Sequence, residues 1–435
     1  MTAFSRASGA RDSLVFVAGT LPSLALLLGD EHGGAGILLI AIGTTIAVWA
    51  GTRPEFSVSP VVLWGALITL AAAAVTRAPM GSHDMWSYAM QGRILEHYHA
   101  NPYVALPAQF APDPVLALAG WQHTPSTYGP LFVGFASLVS RVAGTNLVAL
   151  RLGFQIPVAL AVLASIWIAV RATKSQSVAA LVGLQPFVWC AIVNGGHNDA
   201  FLGLAAVAAV VFVARDRPAS AGIALALGGL VKPTVLLALP VLLVVLFARS
   251  GPRSAFRAFV SAAIPTTFGV VVASASVTAA SRATNGLISR ASPWRLLTQT
   301  HVLAPGRAST VSVGLAIVIA CVGGWRSRNG SDFAGAVAIA LLAYAVVGSY
   351  VLVWYCAWSM VVAAMSRRRA IGVLAAIHGA LLFAAYQVGS AGDAQRVGHG
   401  LLTIVLPVLT VAALLWLVMQ SGERRLSGFA YASRA

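Results

Sequence analysis

Charge is what this sequence has least of. Only 9% of its 435 residues are Asp, Glu, Lys or Arg, while 58% are hydrophobic. A soluble domain carries about 25% charged residues, so a soluble globular fold is excluded. Cysteine is scarce as well. Cys190, Cys321 and Cys356 sit in apolar stretches without metal-ligand spacing and read as small core hydrophobes. No basic run interleaved with aromatics occurs, so the formal charge of +16 does not point to nucleic acid. HExxH, GxSxG and the dinucleotide fingerprint are missing, as are an internal repeat and a strand-rich nucleotide-sugar domain. No small-residue cleavage site follows the first apolar segment, which reads as an uncleaved first span.

What is present is a succession of apolar runs, each needing roughly 20 residues to cross a bilayer. Candidate spans lie near 13–29, 34–51, 58–78, 148–170, 177–193, 199–214, 218–231, 233–248, 257–280, 309–325, 332–349, 350–365, 370–388 and 398–419. The expected fold class is an all-α polytopic membrane protein, one domain over 1–435, with about 12–14 transmembrane helices and outer juxtamembrane helices. Alternate threading puts Arg6, Arg11, Arg53, Arg171, Lys174, Arg215, Arg217, Arg249, Arg253, Arg257, Arg326, Arg328, Arg367 to Arg369, Arg424, Arg425 and Arg434 on one side. The positive-inside rule makes that side the cytoplasm. The fit requires "GPLFVGFASLVSRVAG" (129–144) to lie in or dip into the outer interface without crossing. Three outer segments remain: a long aromatic loop at 79–147, the connector "NGGHNDA" (194–200), and a second large loop at 281–309.

Five acids (Asp12, Glu55, Asp216, Asp332 and Glu423) fall at cytoplasmic ends; Asp30, Glu31, Asp84, Glu96, Asp113, Asp199 and Asp393 fall outside. Asp84 and Asp199 stand closest to apolar helix ends with other polar groups nearby, and ionisable residues at membrane depth are costly and usually functional. From Asp84 onward, Trp86, Ala89, Met90, Ile94 and Tyr98 recur at helical spacing, with Asp84, Ser87, Tyr88 and Gln91 opposite. The pattern predicts an amphipathic helix on the membrane surface. Asp84 is then either its cap or a working carboxylate beside His83. "GGHND" (195–199) is either a polar turn capping the next helix or a set of groups, His197, Asn198 and Asp199, facing sugar hydroxyls. Lys232 in "GGLVKPT" either snorkels or meets a phosphate as a point charge. The acid-free 281–309 loop, with Arg282, Arg290, Arg295, Arg307 and His301, either binds lipid headgroups or stabilises a departing phosphate. "YVLVWYCAW" (350–358) is an aromatic belt or a sugar or isoprenoid contact.

"HDMWSYAMQGRIL…NPY" (83–103), "STYGPLF" (126–132), "NGGHNDAFLGL" (194–204) and "LGGLVKPTVLLALP" (227–240) occur in that order. Together they resemble the actinobacterial polyprenyl-phosphate-mannose-dependent α-(1→6)-mannosyltransferases, which belong to the membrane-embedded GT-C glycosyltransferases. The resemblance implies a GT-C helical bundle in the plasma membrane with its active site facing outside. It implies a polyprenyl-phosphate-mannose donor and a mannan or lipid-linked mannoside acceptor of lipomannan type. Asp84 is then the general base of an inverting transfer, and no cofactor is required. Some relatives carry two adjacent acids at that place; this chain has His83-Asp84-Met85, so no metal-bound acidic pair is expected. The donor phosphate would meet Lys232, with Arg290, Arg295 and His301 next. His83, Tyr88, Gln91, Tyr128, His197, Asn198 and Asp199 would contact sugar or acceptor, with Tyr128 and Gly129-Pro130 shaping the entrance. The alternatives are a GT-C transferase using another polyprenyl-phosphate sugar such as arabinofuranose, or a membrane transporter.

Overall fold

A computed structural model describes residues 3–29, 33–274, 285–328, 332–387 and 400–420. Asp30, Glu31, Arg282, Asp393, Glu423, Arg424, Arg425 and Arg434 lie outside the described residues. Within them the chain is all-helical, as an apolar environment dictates, because helices satisfy their backbone groups internally. The first eleven helices are α1 Ala3–Leu28, α2 Gly34–Gly51, α3 Pro60–Thr76, α4 Asp84–Glu96, α5 Pro130–Ala143, α6 Leu147–Thr173, α7 Ser177–Gly183, α8 Asp199–Ala214, α9 Pro218–Gly229, α10 Ala238–Ser250 and α11 Pro252–Val272. The longer helices that follow are Pro305–Arg326, Phe333–Val347, Arg369–Gln387 and Leu406–Met419. Caps are supplied where the sequence offers them. Ser59 accepts from Val62 N, Asn146 from Val148 N and Ala149 N, and Asp332 from Gly335 N.

Among the described residues, eight helices are long and apolar enough to cross a membrane: Gly9–Leu28, Gly34–Gly51, Leu147–Thr173, Pro233–Ser250, Pro252–Val272, Pro305–Arg326, Arg369–Gln387 and Leu401–Met419. Several other expected spans are shorter or broken. The 177–193 span divides into α7 and a π-turn at Val188–Val193, and 218–231 reduces to the 12-residue α9. The 350–365 span becomes a 3-10 turn, Val353–Cys356, followed by an eight-residue helix. That break is held by Ser289 and Ser292 of the second large loop. Ser289 N donates to Ser349 O at 3.0 Å, Val351 N to Ser289 Oγ at 3.0 Å, and Ser292 Oγ to Gly348 O at 3.0 Å.

The segment 129–144 forms α5, which at 14 residues is about 21 Å long, short of the roughly 30 Å hydrocarbon core. One face is buried through Phe132, Val133, Ala136 and Val139, while Leu138 and Val142 are exposed. α4 departs from expectation. It is enclosed on both faces rather than half immersed at a surface, with Met85, Ser87 through Ile94 all buried. The close approach of α5 explains this: a Cβ on Gly92 would stand 2.1 Å from the Ala136 carbonyl oxygen, a separation only glycine permits.

The long loop between α4 and α5 is packed as well. Arg93 Nε meets Asp113 Oδ2 at 2.7 Å with both side chains buried. Tyr98 Oη donates to the same oxygen at 2.9 Å, and Arg93 Nη1 donates to Gly144 O at 2.8 Å. This buried pair ties the middle of the loop to α4, while Arg93 also reaches the C-terminal end of α5 at Gly144; removing one partner of such a pair would leave an uncompensated charge.

Candidate active site

Asp84 occupies the first turn of α4, but its carboxylate caps nothing. Oδ1 accepts the indole N–H of Trp121 at 3.0 Å, and the side chain is 14% exposed. Trp121 is itself positioned by α4, since Ser87 Oγ accepts from the Gly120 and Trp121 amides at 3.1 and 3.2 Å. His83 Nδ1 faces Leu118 O at 2.9 Å, so both residues of the His-Asp pair hold the 116–121 turn against the helix. Burial pushes the Asp84 carboxyl up to about 6; the Trp121 hydrogen bond and the Lys232 charge oppose that shift, and the Asp199 charge adds to it.

The 194–199 connector approaches from the other side. Asn194 sews it to the segment leading into Asp84: its Nδ2 donates to Ala74 O and Ala78 O at 3.0 and 3.1 Å, and its Oδ1 accepts from Met80 N at 2.8 Å. His197 is fully buried and stacked on Trp354, ring centroids 3.7 Å apart and 10° from parallel. Its Nδ1 lies 3.5 Å from Tyr88 Oη and 3.8 Å from Asp84 Oδ2. Burial first, then the Lys232 charge, hold this imidazole well below its usual pKa, so it meets Asp84 as a neutral ring and not as an ion-pair partner. Burial likewise keeps the Tyr88 and Tyr128 phenols protonated; the two rings meet edge to face at 5.0 Å.

Asp199 is fully buried, and its Oδ1 receives Lys232 Nζ at 2.9 Å and Trp358 Nε1 at 2.6 Å. Lys232 lies 4.3 Å from the Tyr355 ring centroid and 5.3 Å from that of Trp358. Its backbone is fixed by α5: Gly129 N donates to Val231 O at 2.9 Å and Leu131 N to Leu230 O at 3.1 Å. A Cβ on Gly129 would stand 2.1 Å from Leu230 O, which is why glycine precedes Pro130 there. The product of these contacts is a cavity of about 190 Å³ lined by Asp84, Gln91, Trp121, Tyr128, Lys232, Tyr350 and Trp354 among others.

The tertiary structure therefore gathers Asp84, Gln91, Tyr128 and Lys232 around one cavity, with His197 and Tyr88 behind it. It separates others. Asp199 sits beneath Lys232 and does not line the cavity; Asn198 is buried beside it and neither residue caps α8 through its side chain. Lys232, with 15% of its side chain exposed, is held by Asp199 and does not snorkel. Arg290, Arg295 and His301 do not line the Asp84 cavity; Arg290 lines a different one and His301 is exposed. Of the 350–358 aromatics, Tyr350, Trp354 and Tyr355 line the cavity, and Trp358 reaches Asp199. Trp121 was the residue that sequence reasoning missed, and Trp354 and Trp358 were offered only as part of an aromatic segment. The signal for all three was the density of aromatics in their segments.

A family model described as α-(1→6)-mannopyranosyltransferase, N-terminal domain, matches residues 5–248. Among curated proteins, the chain is 29% identical over 242 residues to α-(1→6)-mannopyranosyltransferase A of Mycobacterium tuberculosis, covering 53% of this chain and 45% of that protein. It is 28% identical over 183 residues to α-(1→6)-mannopyranosyltransferase A of Corynebacterium glutamicum, covering 40% and 36%. It is 26% identical over 190 residues to α-(1→6)-mannopyranosyltransferase B of the same organism, covering 38% and 31%. The chain thus spans less than half the length of these relatives. No solved structure matches. The family match takes in Asp84 and Lys232, though not the 344–355 lining of the cavity, and covers more than half of the sequence: the chain belongs to the α-(1→6)-mannopyranosyltransferase family.

Proposed function

We propose that this chain is a plasma-membrane enzyme that moves mannose from polyprenyl-phosphate-mannose to a growing α-(1→6)-mannan on the outer face, with inversion. The observation that carries this reading is the single cavity that a raised-pKa carboxylate, Asp84, and a cation, Lys232, both line. The acceptor hydroxyl attacks the anomeric carbon and its proton passes to Asp84. The bond from that carbon to the phosphate oxygen breaks, and the polyprenyl phosphate leaves with the electron pair. Charge gathers on the departing phosphate, where a preorganised cation in a water-poor site is most effective. The Lys232 ammonium has three donors; Asp199 engages one and holds the group in place.

A lipid-borne donor also needs room for its tail. An apolar cleft of about 650 Å³ runs between α5, α8 and α9, walled by Leu131, Phe132, Phe201, Ala208 and Phe212 and beginning at Val231, next to Lys232. Ala208→Trp is expected to raise the KM for a long-tailed donor about tenfold and to leave a short-tailed, water-soluble donor unaffected. Equal effects on both would remove the tail from this cleft.

Purified protein supplied with labelled polyprenyl-phosphate-mannose and a short α-mannoside is expected to form a new α-(1→6) linkage. Transfer of arabinose from the corresponding arabinofuranosyl donor instead, or solute uptake in vesicles without a new glycosidic bond, would overturn the proposal. The pH profile adds a second test. A base works in its ionised form, so kcat/KM should fall as pH drops through about 6, not through the ordinary carboxylate range near about 4. Trp121→Phe removes the N–H that favours the ionised form, so the acid limb should move to higher pH. An acid limb that stays put in Trp121→Phe would detach this carboxylate from the profile.

A further inference from the structure

The Asp84 cavity has a neighbour. On the far side of the His197–Trp354 stack lies a second cavity of about 350 Å³, lined by Ser82, Arg290, Trp354, Phe383, Tyr386 and Gln387 among others. Its volume falls in the roughly 300–1,000 Å³ range of small-molecule sites. We infer that it holds the non-reacting sugar units of the acceptor, an α-linked mannoside, while the attacking hydroxyl reaches across to Asp84; this rests on the transferase reading above.

Position is the first argument. Trp354 lines both cavities, and the chain crosses from one to the other between Ser82, in the second, and Asp84, in the first. The carboxylate consequently stands at the divide, its Oδ2 3.8 Å from His197 Nδ1 in the shared wall. A single displacement needs nucleophile and leaving group on opposite faces of the anomeric carbon. The base must therefore lie on the acceptor's side and the phosphate's cation on the other. Asp84 and Lys232 both line the first cavity and not the second, so the reacting atoms meet in the first; the second cavity, which Asp84 adjoins through Ser82 and the His197 wall, is left to the acceptor's remaining units.

Chemistry is the second argument. The C–H face of a pyranose is apolar and stacks on aromatic rings, while its hydroxyls need planar, multidentate partners. Trp354, Phe383 and Tyr386 supply rings; Arg290 and Gln387 supply planar donor groups, and Ser82 a hydroxyl. Among the described residues no carboxylate pairs with Arg290, whose guanidinium lies 5.6 Å from the Tyr386 ring centroid. Its five N–H donors are therefore not consumed by an ion pair. Ser289 and Ser292, stitched to the 348–351 turn, hold its backbone in place. A phosphate-binding role predicts the same cation, so the test must separate donor from acceptor.

Initial rates are to be measured with polyprenyl-phosphate-mannose and a soluble α-(1→6)-mannobioside for the unmodified chain, Arg290→Gln and Tyr386→Leu, each checked for an unchanged melting temperature. The expected result is a tenfold or larger rise in acceptor KM in both variants with donor KM unmoved. A rise in donor KM with acceptor KM unchanged gives the cavity to the lipid phosphate and overturns the inference. No change in either constant leaves it an unused void, which also overturns it. Should Tyr386→Leu melt early, Arg290→Gln, at an exposed position, decides by the same criterion. If the unmodified chain itself transfers no mannose, the transferase reading fails first; if it does and the variants match it, only the acceptor site fails.

Discussion

Asp84→Asn is expected to lower the proposed mannosyl transfer by about 10²–10⁴-fold, the usual contribution of a positioned general base. The substitution keeps the shape of the side chain and keeps an oxygen that can accept from Trp121 Nε1, so the 116–121 turn should stay docked on α4. Stability and activity should then move apart. The carboxyl's pKa is raised by burial, so the fold disfavours its charged form, and a neutral amide should melt no earlier than the carboxylate at pH above about 6. Turnover and melting temperature measured on the same preparation decide the matter. Near-normal turnover would take Asp84 out of the base role, and an early melt would show that the side chain serves the fold instead.

Lys232→Met should produce the second large effect, of a different kind. Asp199 is fully buried, and Lys232 is the ammonium that meets it. Removing one partner of a buried pair typically costs about 3–5 kcal/mol because the other charge is left uncompensated. The single variant is expected to be markedly less stable and to lose donor use. Adding Asp199→Asn removes the stranded charge while an amide oxygen can still accept from Trp358 Nε1, so the double variant should recover most of the stability. It should not recover activity, since no lysine or arginine would remain among the described residues lining the cavity. Recovery of donor KM in the double variant would reduce the pair to a structural one. Recovery of neither property would place the damage in packing against Tyr355 and Trp358.

How much of this was legible beforehand differs residue by residue. The membrane class followed from composition, and the two polar segments around Asp84 and Lys232 stood out because charge is so rare in the chain. Helical periodicity misjudged α4. Its pattern looked amphipathic, yet Gly92 admits α5 so closely that the polar face is enclosed too. The arginines of the second loop were unpartnered in sequence and therefore looked available to a phosphate at Asp84. That Arg290 and Arg295 do not line that cavity follows from Ser289 and Ser292, which bind this part of the loop to the break at 348–351, and no local pattern encodes that pairing.

By itself, then, the sequence determined that the chain is a helical membrane protein and that a handful of polar residues must justify their cost in an apolar medium, because both conclusions rest on local composition and spacing. Which of those residues meet was decided only by the tertiary structure. Asp199 reaches Lys232 across 33 positions and Trp358 across 159, and a hydrogen bond between such distant positions exists only once the helices between them have packed.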